Sequence, residues 1–209
     1  MATAAVPVEQ RVILYGVTWE TYERLLAEHP DAPSPRFTYD EGTLQIMVLS
    51  RRHEEPNRTL AILLEVLAEE WGIDLCRLGS VTLKRRDLEK GFEPDSCFYI
   101  ANALAVRDKG ELDLLVDPPP DLMIEVDVTS SSLPRMPIFA AFGVPEVWRY
   151  DGTRVVMYRL EQGRYVEAEH STALPPLTAE VATRFLESSR EIPSTKWYRQ
   201  VRDWARQQR

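Results

Sequence analysis

The sequence has few cysteines and no long apolar run. Cys76 and Cys97 are the only cysteines among 209 residues, and they do not form a CxxC pair. This excludes a zinc site built from cysteines and is typical of a reduced protein rather than a disulfide-linked secreted one. No stretch approaches the roughly 18 to 20 apolar residues that span a bilayer, and residues 1–16 do not resemble a signal peptide. We therefore expect a cytoplasmic protein without a membrane segment.

Positive charge is scarce as well. The chain has 25 lysine and arginine residues against 33 aspartate and glutamate residues, which gives a formal net charge of −8. This balance argues against a simple nucleic-acid coat protein, because such proteins normally carry a basic surplus. It remains compatible with an enzyme that has a local basic patch and an acidic catalytic centre. The sequence also lacks GxGxxG, Walker, GxSxG and HExxH motifs, so the best-known nucleotide-binding and hydrolase signatures do not apply.

Hydrophobic periodicity predicts an α+β, or mixed α/β, domain with a central mixed β-sheet flanked by helices. The predicted elements are a short helix over 17–30 capped by Thr18, a hairpin over 35–50 turning at 40–42, a long helix over 56–72 with Pro56 in its first turn, several strands, a short helix over 132–144, a three-strand meander over 145–170 and two C-terminal helices. We expect a single domain over 1–209, with an N-terminal extension over 1–14 and a C-terminal helical extension over 190–209.

Carboxylates stand next to two of the apolar strands. In PPPDLMIEVDVTSSS, residues 118–132, Glu125 lies inside an apolar run and Asp127 follows two positions later. Side chains two residues apart share a face of a strand, and a buried carboxylate is costly unless something pairs with it. Asp95 similarly stands just before the apolar strand of residues 96–100. The residues alone are compatible with a metal site, an acid–base pair, or a strand end that leaves the core.

Two acidic residues on neighbouring strands also suit Mg²⁺, which prefers oxygen ligands. Four segments in order, PRFTYDEGTLQIM, PDSCFYI, PDLMIEVDVTSSS and FAAFGVPEVWRYDG, resemble the bacterial restriction-endonuclease-like family of the PD-(D/E)xK nuclease superfamily. The resemblance covers about residues 15–185, and its most specific part is GVPEVWRYDG. It implies a restriction-endonuclease-like core and a Mg²⁺- or Mn²⁺-dependent endonuclease that hydrolyses phosphodiester bonds of DNA, acting as a homodimer.

The resemblance also implies a role for individual residues. Asp95 and Glu125 correspond to the acidic metal ligands of the motif, and the backbone carbonyl of Val126 would add a third ligand. Asp127 stands where related nucleases carry a lysine, and Arg135 matches a lysine on the following helix. An arginine stays charged and can clamp a phosphate but cannot act as a base, so Arg135 is expected to stabilise charge.

Two further site residues follow from the same resemblance. Glu41 matches an acidic residue at the hairpin turn, and His53 matches a histidine that enters the long helix. An exposed glutamate at a turn and a histidine at a helix start also have ordinary structural interpretations. The basic residues of 190–209 are compatible either with a phosphate-contacting face or with a solvated helix face, and we favour the second.

Structural interpretations remain open for the acidic residues too. Glu125 can pair with an arginine at a strand edge, Asp95 can begin a turn, and Asp127 can cap the loop of residues 130–132. The missing lysine and the acidic net charge favour an alternative function, in which a catalytically weakened fold acts as a nucleic-acid-binding or protein-interaction module. Hydrolysis of another phosphoester is a third interpretation.

Overall fold

The computed structural model describes residues 10–29, 34–48, 51–128 and 133–208, and only the backbone of residues 51 and 52. The helices are α1 (Trp19–Glu28), α2 (Arg51–Trp71), α3 (Ala103–Val106), α4 (Arg135–Ala141), α5 (Ala179–Ser188) and α6 (Ser194–Gln207). The strands are β1 (Gln10–Tyr15), β2 (Arg36–Asp40), β3 (Thr43–Val48), β4 (Cys76–Gly79), β5 (Leu83–Arg85), β6 (Lys90–Phe92), β7 (Ser96–Tyr99), β8 (Leu122–Val126), β9 (Glu146–Tyr150), β10 (Val155–Glu161) and β11 (Arg164–Ala168).

The strands form two sheets. The first is antiparallel in the order β1-β3-β2-β6-β5, and the second has the order β11-β10-β9-β8-β7-β4. In the second sheet β8 and β9 run parallel, and α4 provides the crossover between them, because parallel strands cannot be joined by a tight turn. The predicted mixed sheet flanked by helices is confirmed, whereas the separate first sheet was not predicted, since β5 and β6 are only three residues long.

Helices cover both faces of the second sheet around β8. The side chains of Leu122, Ile124 and Val126 pack into the core shared with α2, α5 and α6. Met123 points the other way, into a core that contains Ile138 and other residues of α4. This two-sided burial explains the continuous apolar run of the strand. Because side chains alternate, Glu125 lies on the α4 side with Met123.

The long helix α2 begins earlier than the sequence predicts. It starts at Arg51, so Pro56 lies inside the helix rather than in its first turn. A proline near the helix N-terminus removes one backbone hydrogen bond but keeps a helical φ, which makes the position tolerable. The earlier start places His53 and Asn57 one turn apart on the buried face of α2. The helix ends as predicted at Gly72, which has a left-handed φ of +67°.

The remaining predicted elements are confirmed. Thr18 caps α1 by accepting a hydrogen bond from the Thr21 N–H at 3.2 Å. The hairpin β2–β3 and the meander β9–β10–β11 form in the expected segments. No helix among the described residues is both long and apolar enough to cross a membrane. The single-domain boundaries over 1–209 and the two extensions stay a prediction.

The C-terminal helix α6 packs on α2. The Trp71 indole N–H donates to the Ala205 carbonyl at 3.0 Å, and the rings of Trp71 and Trp204 lie 6.0 Å apart. Arg202 and Arg206 form ion pairs with glutamates of α2, Glu69 and Glu70. These contacts agree with the interpretation of residues 190–209 as a packed helix with a solvated charged face.

The contact between Gly91 of β6 and Tyr22 of α1 gives a test of how the first sheet packs on α1. A Cβ at this position in β6 would lie closer than 3.0 Å to the hydroxyl oxygen and two ring carbons of Tyr22. The Tyr22 side chain is fully buried and stacks on Tyr39, with ring centroids 5.0 Å apart, so it has no space to retreat. We predict that Gly91→Ala lowers the free energy of unfolding by about 1–3 kcal/mol, measured by urea denaturation.

Gly110→Ala is the matched control. A Cβ at Gly110 meets nothing within 4 Å, and its φ is not left-handed. This variant should stay within about 0.5 kcal/mol of the wild type. Equal stability of the two alanine variants would contradict the described contact between Gly91 and Tyr22.

Candidate functional site

The pairing of β7 with β8 brings Asp95 and Glu125 together. Ser96 pairs with Ile124 in this antiparallel ladder, and the next step of the same register sets Asp95 opposite Glu125. Residues in such directly opposed positions have Cβ atoms about 4.5–5.5 Å apart and share one face. The Val126 N–H donates to Asp95 Oδ2 at 2.8 Å and fixes this carboxylate beside β8. Two acidic residues that are distant in sequence are therefore neighbours at one end of the strand pair.

Basic groups from two other elements surround Asp95. Arg36 of β2 has its Nη1 3.6 Å from Asp95 Oδ1, and His53 of α2 has its Nε2 3.2 Å from Asp95 Oδ2. Asn57, one turn after His53, donates its side-chain N–H to the Asp95 backbone carbonyl at 3.1 Å. All of these side chains are buried. The predicted site residues His53 and Asp95 are thus brought into contact.

Arg135 is the main partner of Glu125. This first residue of α4 donates from Nη1 to Glu125 Oε2 at 2.6 Å and from Nη2 to the Glu93 carbonyl at 2.8 Å. Its guanidinium also lies over the Phe139 ring, 5.2 Å from the centroid. Burial raises the pKa of Glu125 above its usual range, while Arg135 opposes the shift and the nearby Asp95 carboxylate adds to it.

Asp127 lies next in the chain but has different partners. Its Oδ2 accepts a hydrogen bond from Arg149 Nη2 at 2.8 Å, and its Oδ1 lies 3.5 Å from Arg11 Nη2. Asp127 therefore lies between two arginines of two different sheets. The predicted capping of residues 130–132 by Asp127 falls outside the described residues.

Glu41 is not brought to this cluster. It is exposed at the hairpin turn, with a left-handed φ of +44°, and its Oε1 accepts a hydrogen bond from Lys90 Nζ at 2.6 Å. Sequence reasoning also missed residues that do contact the cluster, Arg36 and Asn57 above all. Asn57 follows His53 by four positions, so the two side chains share one face of α2 because the helix starts at residue 51. This spacing is a sequence signal that could have identified Asn57. Arg36 gave no such signal, because its approach depends on the remote pairing of β2 with β6.

A cavity of about 370 Å³ opens beside Glu125. Its charged lining consists of Glu125, Asp127 and three arginines, Arg11, Arg135 and Arg149. Gln45, Val126 and a set of apolar side chains complete the lining. The carboxylate pair thus has arginine-rich space next to it that is large enough for a small ligand.

The family resemblance implies Mg²⁺, which needs several oxygen ligands. Among the described residues there is no group of three or more His, Cys, Asp or Glu side chains that could hold a metal. However, Asp95 Oδ1 and Glu125 Oε1 are both buried without a hydrogen-bond partner in the same residues. Mg²⁺ commonly binds through one or two carboxylates and keeps several waters. The pair fits this ion, and Val126, whose carbonyl is the predicted third ligand, lines the adjoining cavity.

A mixed sheet with helices on both faces, joined to a second sheet, defines an α+β protein of restriction-endonuclease-like fold. A family model described as "Uma2: Putative restriction endonuclease" matches residues 19–190, and the chain belongs to this family. The family and the fold class predicted from the sequence are therefore confirmed.

One solved structure supports the fold independently. It is described as a "putative nuclease belonging to DUF820 from Anabaena variabilis ATCC 29413". Its sequence is 15% identical to this chain, the TM-score is 0.52, and the match covers 77% of this chain and 96% of that chain. At this identity the likeness shows a shared fold. No curated protein matches the chain.

The buried ion pair between Arg135 and Glu125 makes a stability prediction. Replacing Arg135 with methionine leaves a buried carboxylate without its cation, which typically costs about 3–5 kcal/mol. We predict a loss of this size in the free energy of unfolding of Arg135→Met, measured by urea denaturation. Adding Glu125→Gln to the same chain should recover most of the loss, because no charge is then left unpaired.

Arg149→Met is the control for removing an arginine in general. Its pair with Asp127 is more exposed, with 35% and 20% of the two side chains accessible, so we expect a loss of at most about 1 kcal/mol. Equal losses in Arg135→Met and Arg149→Met, or no recovery in the double variant, would contradict a buried pair.

Proposed function

We propose that this chain is a Mg²⁺-dependent endonuclease that hydrolyses phosphodiester bonds of DNA. The observation that carries the proposal is the opposed pair Asp95 and Glu125, each with a buried oxygen that has no hydrogen-bond partner among the described residues. Membership in a family described as a restriction endonuclease supports a nuclease. Mn²⁺ would suit the same oxygen ligands.

Asp95, Glu125 and the Val126 carbonyl would hold the ion. When bound, Mg²⁺ polarises the scissile phosphate and lowers the pKa of an attacking water. Arg36 and His53 contact Asp95 and keep its carboxylate in place. The proposed site is thus held by two strands and two supporting side chains from other elements.

Arg135 has the position of a charge-stabilising residue. Its guanidinium already lies at Glu125, and a guanidinium can donate two parallel hydrogen bonds to phosphate oxygens. We propose that it stabilises the negative charge that develops on the phosphate. Asp127 positions the neighbouring Arg149. Glu41 has no contact with this site among the described residues, so its role stays a prediction, as do the homodimer and the cytoplasmic location.

Plasmid cleavage tests the proposal. Wild-type protein with Mg²⁺ or Mn²⁺ should nick or linearise plasmid DNA, and chelation should stop the reaction. We predict that Glu125→Ala lowers the cleavage rate by at least about 100-fold, because loss of even an outer-shell partner of a metal ligand commonly costs 10–100-fold.

Glu167→Ala, at an exposed glutamate of β11, is the matched control and should cleave at the wild-type rate. Absence of metal-dependent cleavage on every form of DNA and RNA, with wild type and Glu125→Ala indistinguishable, would end the enzyme proposal.

The alternative, a weakened fold that acts as a nucleic-acid-binding or protein-interaction module, has an observation of its own in its favour. Arg135 and Arg36 already neutralise Glu125 and Asp95, and Asp127 occupies the place of the lysine. Such a compensated pair needs no metal ion for its stability. Calorimetric titration with Mn²⁺ separates the two functions.

The enzyme proposal predicts one Mn²⁺ bound per chain and loss of that binding in Asp95→Asn. A wild-type protein that is folded by circular dichroism and releases no heat with Mn²⁺ would favour the module instead.

A further inference from the structure

Three arginines from separate elements meet at the cavity beside Glu125. Arg11 comes from β1, Arg135 from α4 and Arg149 from β9, and together they outnumber the two lining carboxylates. This local balance contrasts with the net charge of −8 of the whole chain. The cavity is therefore a place where an anion gains more than it would over most of the acidic surface.

Asp127 fixes the direction of two of these arginines. It accepts from Arg149 at 2.8 Å and lies 3.5 Å from Arg11, so both guanidiniums are held at one side of the cavity. A guanidinium has five N–H donors, so Arg149 can hold Asp127 and still donate to a ligand. The Arg149 side chain is 35% accessible, which leaves part of it open to a ligand. Two oriented guanidiniums match the oxygens of a phosphate group.

The rest of the lining is apolar. Met47 of β3 and Leu133, Pro134 and Met136 around α4 contribute to the wall, and within it Pro134 is exposed and Met136 half-buried, so apolar surface is open to a ligand. The cavity volume of about 370 Å³ lies within the range in which proteins enclose small ligands. A flat apolar group attached to a phosphate satisfies both parts of the lining. A nucleotide has this chemistry.

A recessed apolar wall favours one form of nucleic acid over another. In a duplex the bases are paired and stacked, and only the sugar–phosphate backbone reaches such a surface without unstacking a base. In a single strand the face of each base is available for contact with apolar side chains. A duplex would therefore use the arginines but not the wall.

We propose that this cavity binds one nucleotide of single-stranded DNA, with its phosphate on Arg149 and Arg11 and its base on the apolar wall. The inference rests on the proposed nuclease function, because it names the form of DNA that the site would bind most tightly. Asp127 is then a positioning residue for the two phosphate-binding arginines.

Binding of fluorescein-labelled oligonucleotides to the wild-type protein in EDTA, followed by anisotropy, tests the proposal without cleavage. Three probes share one length: a single strand, a duplex of the same sequence, and a single strand with abasic sites in place of its nucleosides. We expect the single strand to bind roughly tenfold more tightly than either other probe, which is the order of one base contact. Duplex binding as tight as single-strand binding, or full affinity of the abasic strand, would overturn the proposal.

Two arginine variants test the phosphate contact. Arg149→Gln should weaken single-strand binding about tenfold, whereas Arg199→Gln, at an exposed arginine of α6 outside the cavity, should stay within about twofold. Equal losses in the two variants would assign the binding to general surface charge and overturn the proposal. The comparison of the three probes uses the wild-type protein, so it holds even if Arg149→Gln fails to fold.

These outcomes separate the inference from the proposed function. Metal-dependent cleavage of duplex plasmid combined with equal binding of single strand and duplex would retain the nuclease and discard the single-strand cavity. Selective single-strand binding without any metal-dependent cleavage would retain the cavity and discard the nuclease.

Discussion

The burial of two opposed carboxylates is the constraint on which the candidate site depends. Asp95 and Glu125 repel each other when both are ionised, and removal from water adds to the cost. The fold offsets this cost with Arg36 from the first sheet and Arg135 from the crossover helix, and His53 from the long helix lies against Asp95. Arg36 lies in β2, His53 in α2 and Arg135 in α4, so the environment of the acidic pair requires both sheets and these two helices to be in place. The site is thus a product of the whole architecture rather than of one motif.

Local sequence patterns were enough for much of the fold. The turn residues at 151–152 and 162–163 predicted the three-strand meander. The carboxylates beside two apolar strands indicated the acidic pair without knowledge of the strand order. Contacts between remote segments were not predictable in this way. Arg36 and Arg11 reach the site through the first sheet, whose strands β5 and β6 are too short to show an alternation of apolar and polar residues. Pro56 suggested that the helix that holds His53 begins later than it does. The sequence resemblance implied a site role for Glu41, but the Glu41 side chain contacts Lys90 at the hairpin turn and does not reach the site.

The arginines around the carboxylate pair are compatible with both proposed functions. They stabilise the carboxylates when no cation is bound, which suits a non-catalytic module, and they also supply the donors that a phosphate needs. In the proposed enzyme Glu125 would hold a metal ion, and Arg135 would then be available to the substrate. Asp127 contacts two further guanidiniums at the same cavity, those of Arg149 and Arg11. The nucleotide-binding inference follows from this surplus of oriented arginines beside an apolar wall.

In the proposed enzyme, Asp95 and Glu125 together bind one divalent ion. Anomalous diffraction from crystals soaked in Mn²⁺ shows whether they do. We expect a single anomalous peak within about 2.0–2.3 Å of an oxygen of each carboxylate, with Arg135 displaced from Glu125. Ordered side chains with no peak between them, and Arg135 still bound to Glu125, would contradict it.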